Sequence, residues 1–210
     1  MFITFEGIEG SGKSTLARST AAALQQAGIP VLLTREPGGS ALGTKIRALL
    51  LNAEESVSPR AELFLFLADR TQHVDAVIKP ALDKGTVVLC DRFTDSTIAY
   101  QGFGRGLDIG LLDALNANAT GGLVPDLTIV ADLQPQIGLE RAKKRNAENG
   151  TATSEGRFED EELAFHAKIR NGFLAIAESH PERVMVLDAS MPPDELASKA
   201  IELILKRFSS

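Results

Sequence analysis

Short apolar, β-branched runs alternate along this chain with longer stretches in which apolar positions recur every three or four residues. The runs at 2–5, 31–34, 87–90, 127–131 and 184–187 do not alternate with polar residues, which predicts strands covered on both faces, as in a parallel sheet. Between them the helical period predicts helices over 13–27, 41–52, 59–84, 94–101, 108–118, 135–147, 160–179 and 193–207. The punctuation agrees: Gly28-Ile-Pro30 stops the first helix, and Ser58-Pro59 opens the third. Proline costs nothing there, because the first helical N–H has no partner anyway. Strand–helix alternation of this kind reads as βαβ units, hence an α/β fold with helices flanking a parallel sheet. The polar stretch 146–156 has no period and reads as a loop between two helices with basic residues on both sides, in a single domain; a loop of this length is either a lid, spanning a segment around 141–160, or disordered.

The first strand-to-helix junction carries specific chemistry. Gly7, Ile8, Glu9, Gly10, Ser11, Gly12, Lys13 and Ser14 match G-x-x-x-x-G-K-[ST] in full, with a predicted strand before and a helix after. Glycines let the backbone wrap a phosphate, and loop N–H groups and the helix N-terminus favour its charge. In this arrangement Lys13 would reach the β- and γ-phosphates of a nucleoside triphosphate and the Ser14 hydroxyl would ligate Mg²⁺. The fold expected is therefore that of the P-loop NTPases. A second carboxylate for the metal should end a neighbouring strand, and Val87-Val-Leu-Cys90-Asp91 supplies Asp91. Asp91 also suits a helix cap, and the two roles are compatible.

Composition narrows the field. The 210 residues carry 22 basic and 28 acidic side chains, a net charge of −6, which argues against a general nucleic-acid binder but not against a phosphorylated small molecule. One Cys cannot make an internal disulfide and fits a reducing cytoplasm. No basic leader and no apolar run of about 20 residues is present, so neither a signal peptide nor a membrane span is expected. The guanine-reading Asn-Lys-x-Asp and the Asp-x-x-Gly of GTPases are both missing. A phosphoryl transferase with a second small-molecule substrate is the better reading. An ATP-driven switch without acceptor chemistry is the rival of a different class.

Four polar clusters point to an acceptor pocket. Arg35 and Glu36 precede Pro-Gly-Gly39 directly after a strand, where parallel sheets bind ligands. Arg47 follows in the next helix. Phe66 and Arg70 are four apart and continue an apolar stripe, a ring for stacking and a guanidinium that demands acceptors. Thr97 and Gln101 share a helical spacing after Arg92, and Gln101 can both donate and accept.

With these residues the chain resembles the thymidylate kinase family of nucleoside monophosphate kinases, over nearly its whole length. The resemblance rests on Gly7 to Ser14, Arg35-Glu-Pro-Gly-Gly39, Ala68-Asp-Arg70-Thr-Gln-His73, Asp91-Arg92-Phe-Thr-Asp-Ser-Thr-Ile-Ala-Tyr-Gln101 and Val186-Leu-Asp-Ala189. It implies transfer of the ATP γ-phosphate to dTMP with Mg²⁺, a five-stranded parallel sheet, a mobile lid and a homodimer. It also implies Phe66 stacked on thymine, Arg70 donating to its O4, and Thr97 and Gln101 near the base edge. Tyr100 would lie against the sugar 2′ position, Arg92 and Arg47 would hold the acceptor phosphate, and Glu9 would face the 3′-hydroxyl or the metal. No basic residue occupies the variable loop positions 8–11, so the resemblance is to the bacterial kind, whose catalytic arginine lies in the lid. Arg157 matches it best, although Gly156 stands where the family has Asp. Arg141, Lys143, Lys144 and Arg145 form a second basic cluster before the loop.

Overall fold

The computed structural model describes residues 1–52, 57–151 and 157–208. Five strands form one sheet: β1 (Phe2–Glu6), β2 (Val31–Arg35), β3 (Val87–Asp91), β4 (Leu127–Asp132) and β5 (Val184–Asp188). Their order is β2-β3-β1-β4-β5 and every pairing is parallel. Phe2, Ile3, Phe5, Val88, Leu89 and Ile129 are buried, which is why these strands read as unbroken apolar runs. Each strand runs one residue further than its apolar run predicts and ends on a charged side chain: Glu6, Arg35, Asp91, Asp132 and Asp188. Those ends lie together at the carboxyl edge of the sheet, where the functional groups collect.

The helices are α1 (Lys13–Gln26), α2 (Ala41–Leu51), α3 (Pro59–His73), α4 (Lys79–Asp83), α5 (Thr94–Thr97), α6 (Ile109–Thr120), α7 (Pro135–Asn149), α8 (Leu163–Ser179) and α9 (Pro193–Phe208). Ser40 and Ser58 cap α2 and α3 by accepting from Gly43 N and Ala61 N.

Two expected helices differ. The stretch 59–84 is not uniform: a wide π-type turn over Val74–Ile78 separates α3 from α4. Pro80 lacks an N–H and would crowd the carbonyl four residues back, and a widened turn relieves both. The stretch 94–101 is α-helical only to Thr97, and a second wide turn runs over Ile98–Gly104. There Arg105 N bonds Tyr100 O, a five-residue step. Of the expected lid, α7 takes the segment to Asn149, and turns follow from Arg157. Residues 152–156, including Gly156, lie outside the described residues.

Candidate active site

One cleft of about 470 Å³ opens at the carboxyl edge of the sheet. At one end lies the loop between β1 and α1. Gly10 and Gly12 adopt φ of +68° and +87°, conformations open to glycine. The loop also rests on α7, where a Cβ on Gly138 would lie 2.5 Å from Glu9 O. Lys13 is buried and its ammonium donates to Ile8 O at 3.1 Å. Burial, then the neighbouring Arg92, lowers its pKa to about 8.

The Ser14 hydroxyl donates to Asp91 Oδ2, and Asp91 Oδ1 is buried without a hydrogen bond. A hydroxyl beside a carboxylate with an unused oxygen suits Mg²⁺, which typically takes one or two carboxylates and completes its shell with water and phosphate oxygens. Both residues line the cleft.

Arg92 occupies the centre. It is a non-glycine residue at φ +74°, a backbone that costs roughly 1–3 kcal/mol and is retained where the surroundings fix it. Its guanidinium donates to Ser96 Oγ at 3.0 Å, Glu9 Oε1 at 3.0 Å and the Tyr100 hydroxyl at 2.8 Å, and lies 4.8 Å from the centre of the Tyr100 ring. The Tyr100 hydroxyl donates to Glu9. Burial would raise the Glu9 pKa, but His166, Arg92 and Lys13 together hold it well below the usual carboxylate range. His166 is fully buried on α8, with Nδ1 3.3 Å from Glu9 Oε2.

At the other end α3 presents Phe66 and Arg70. Arg70 is buried and its acceptors are mostly internal: Glu36 Oε2 at 2.8 Å, Thr97 Oγ1 at 2.7 Å, Asn116 Oδ1 at 2.6 Å and Phe93 O at 2.8 Å. Of its five N–H groups, one on Nη2 has no acceptor among the described residues. Thr97 is thereby engaged through Arg70. Glu36, expected to meet substrate, lines the cleft and gives one oxygen to Arg70 and the other to His73 Nδ1 at 3.0 Å, so it also buttresses Arg70. Gln101 donates through Nε2 to Glu62 Oε1 at 2.9 Å. Arg35 and Arg47 line the cleft, and Arg47 also donates to Pro37 O at 3.2 Å.

The expected lid cation is elsewhere. Arg157 donates to Leu50 O at 2.9 Å and to Glu62 Oε2 at 2.5 Å, and stacks 5.2 Å from the centre of the Phe158 ring. The buried carboxylate of Glu62 explains the placement, since it is the nearest compensation for a guanidinium leaving water. Arg157 is therefore tied to α2 and α3, and the cation that lines the cleft from this side is Arg145, paired with Glu159 at 3.2 Å.

Sequence reasoning passed over Glu6, Glu62, Arg105, Asn116 and His166. Glu62 had a signal, standing four residues before Phe66 and eight before Arg70 on one face of α3. Asn116 and His166 come from α6 and α8, and no local spacing ties them to the site.

A thymidylate kinase family model matches residues 5–200. A thymidylate kinase of Desulfovibrio desulfuricans is 57% identical, over 99% of this chain and 97% of its own length. One of Nitratidesulfovibrio vulgaris is 59% identical, over 100% and 98%. The crystal structure of thymidylate kinase from Ehrlichia chaffeensis superposes with a TM-score of 0.77 at 35% identity, covering 97% of this chain and 98% of that one. With the phosphate loop, the sheet order and the acceptor-side residues all in place, the chain belongs to the thymidylate kinase family.

Proposed function

We propose that this dTMP kinase binds both substrates in the one cleft, ATP phosphates on the β1–α1 loop and dTMP between α3 and the segment from Arg92 to Gln101. The enzyme transfers the ATP γ-phosphoryl group to dTMP, giving dTDP and ADP, on the way to dTTP. The observation that carries the reading is the continuity of the cleft. Lys13 and Ser14 share it with Phe66, Arg70 and Gln101, so donor and acceptor can meet without leaving it.

Phosphoryl transfer asks the protein for positioning and charge compensation more than for covalent help. Lys13 compensates the donor phosphates. Arg92, fixed by Glu9, Ser96 and Tyr100, holds the acceptor phosphate with Arg47, and Arg35 adds charge at the rim. Glu9 accepts from the sugar 3′-hydroxyl, and the Tyr100 ring narrows the space at the 2′ position. Ser14 and Asp91 would hold Mg²⁺, which supplies charge neutralisation on the phosphates. Arg145, rather than Arg157, is the residue assigned to the transferring group from the α7 side. Phe66 stacks on the base, and the free Nη2 hydrogen of Arg70 meets O4.

We further read the protein as a cytoplasmic homodimer. Among the described residues no helix is long and apolar enough to cross a membrane, and the one cysteine, Cys90, is buried and free.

The test is ADP production measured across a panel of nucleoside monophosphates. Turnover should require dTMP, dUMP should be poorer by the ~0.8 kcal/mol of one buried methyl, and dCMP should be worse by up to roughly 10⁴. Lys13→Ala should abolish turnover with the fold intact by circular dichroism. Comparable kcat/KM for dCMP and dTMP would overturn the base assignment.

A further inference from the structure

We propose that Glu62 sets which pyrimidine the cleft accepts, by holding the Gln101 amide with its nitrogen turned inward and its oxygen left for the base. The proposal rests on the reading of this end of the cleft as the site of the dTMP base.

Glu62 lies in α3 with no exposed surface. Its Oε1 accepts from Gln101 Nε2 at 2.9 Å and from Arg105 Nε at 3.4 Å. Its Oε2 accepts from Arg157 Nη2 at 2.5 Å and from Arg105 Nη2 at 3.3 Å. Arg105 is tied in turn to Glu161, at 2.5 Å. A carboxylate between two guanidinium groups offers acceptors only. The end of the Gln101 amide that meets it must therefore be the donating NH₂. A reversed amide would place oxygen against oxygen in a buried site, a penalty with no water to relieve it.

The amide is planar, so fixing its nitrogen fixes its oxygen. Gln101 lines the cleft beside Phe66, Arg70 and Thr97, and its amide oxygen makes no hydrogen bond among the described residues. The polar atom left for a ligand is thus an acceptor. Thymine and uracil carry an N–H at position 3 and satisfy it. Cytosine carries a lone pair there and opposes it. Without Glu62 the two amide orientations would be close in energy, and the glutamine could donate to cytosine as readily as accept from thymine. The carboxylate does not touch the substrate, so Glu62 is a positioning residue that acts through Gln101.

The variant that isolates this role is Glu62→Gln, which keeps size and hydrogen bonding but lets both amides rotate together. The readout is the ratio of kcat/KM for dTMP to that for dCMP. We expect it to fall at least tenfold, mainly through KM for the nucleoside monophosphate. A structural role alone would lower both values together, so an unchanged ratio in a folded variant overturns the proposal.

Arg105 and Arg157 lose a buried counter-charge in this variant, so a measurement on the wild type accompanies it. With ¹⁵N-labelled glutamine and bound dTMP, the Gln101 side-chain amide should stay where it is in the free enzyme, and the N3 imino proton of dTMP should become protected from exchange. An amide that turns its NH₂ to the base, or an unprotected imino proton, overturns the proposal. A wild-type enzyme that fails to phosphorylate dTMP would instead remove the reading of the cleft beneath it.

Discussion

Glu6 closes β1 with a fully buried carboxylate that neighbours the phosphate loop. Its oxygens accept from Phe93 N at 2.7 Å, Ser96 N at 3.2 Å and Ser96 Oγ at 2.6 Å. Burial, then the nearby Asp95, raises its pKa to about 7. The unfolded chain ionises near 4.5, so between these values the native state binds more protons and stability falls as pH rises. The full cost, reached above pH 7, is ~3 kcal/mol at 1.36 kcal/mol per pKa unit. Glu6→Gln mimics the protonated acid and escapes that cost. Urea melts should show the variant gaining on the wild type between pH 5 and pH 8 by that order. A difference independent of pH would show that the carboxylate titrates alike folded and unfolded. At this scale the sequence disclosed types better than partners. A mid-helix Arg on an apolar stripe had to find acceptors, and Arg70 did, but the acceptors are Glu36, Asn116, and Thr97 with the carbonyl of Phe93, contributed from three separate segments. No spacing along the chain encodes a set brought together by tertiary folding.

Elements were the most legible level, because an apolar run or a capped amphipathic period is a local signal. The five strands and the phosphate loop follow directly from it. The two widened turns do not follow from the period: the first answers to Pro80, a local signal, and the second to contacts. The turn at Ile98–Gly104 packs closely on α8, where a Cβ on Gly104 would lie 2.7 Å from Phe165. The packing of α7 on the phosphate loop was equally hidden, and it yields a prediction. Gly138→Ala would drive a methyl against Glu9 O and Ile8, shifting the loop from behind. Overpacking of this kind costs about 1–3 kcal/mol. Steady-state assays should find kcat/KM for ATP reduced more than tenfold and the dissociation constant for dTMP little changed. Wild-type ATP kinetics would mean that the helix moves instead of the loop.

The same helix carries the lid question. Arg157 makes its bonds to Leu50 O and Glu62, and its ring neighbour Phe158 meets Tyr100 edge-on at 5.6 Å and Phe66 at 6.4 Å. Removing it should loosen the wall of the acceptor pocket. Arg145 is half-exposed and lines the cleft while paired with Glu159, and the proposed reading assigns it to the transferring phosphoryl. Arg157→Ala should therefore raise KM for dTMP about tenfold with kcat within a few-fold. Arg145→Ala should lower kcat tenfold or more at unchanged dTMP affinity, toward the lower end of what a catalytic arginine supplies. Kinetics with the two roles exchanged would return the catalytic assignment to Arg157.

Over the whole molecule, charge and apolar surface are both unevenly spread. The chain is net acidic at −6, yet Lys13, Arg18, Arg35, Arg47, Arg70, Arg92 and Arg145 line the cleft and outnumber its carboxylates, Glu9, Glu36, Asp91 and Glu159, a balance that favours anionic ligands. On another face, α2, α3 and α6 pack side by side and leave large apolar side chains in water. Leu49 is 52% exposed, Phe64 56% and Leu111 54%. An aromatic and two leucines on three adjacent helices supply a core for the proposed two-fold interface, since a dimer buries the same patch on both copies. Phe64 lies between Glu62 and Phe66 in sequence but faces away from them, out of the cleft. An interface through Phe64 would brace α3 from behind and keep Phe66 and Arg70 in register with the base. Phe64→Glu places a charge where the partner copy would desolvate it, and sedimentation velocity should show a monomer where the wild type is a dimer. The monomer should retain its KM for ATP, whose site rests on β1 and α1, and show a higher KM for dTMP. A wild type that sediments as a monomer at assay concentration, or a Phe64→Glu enzyme that still dimerises, would place the interface elsewhere or remove it.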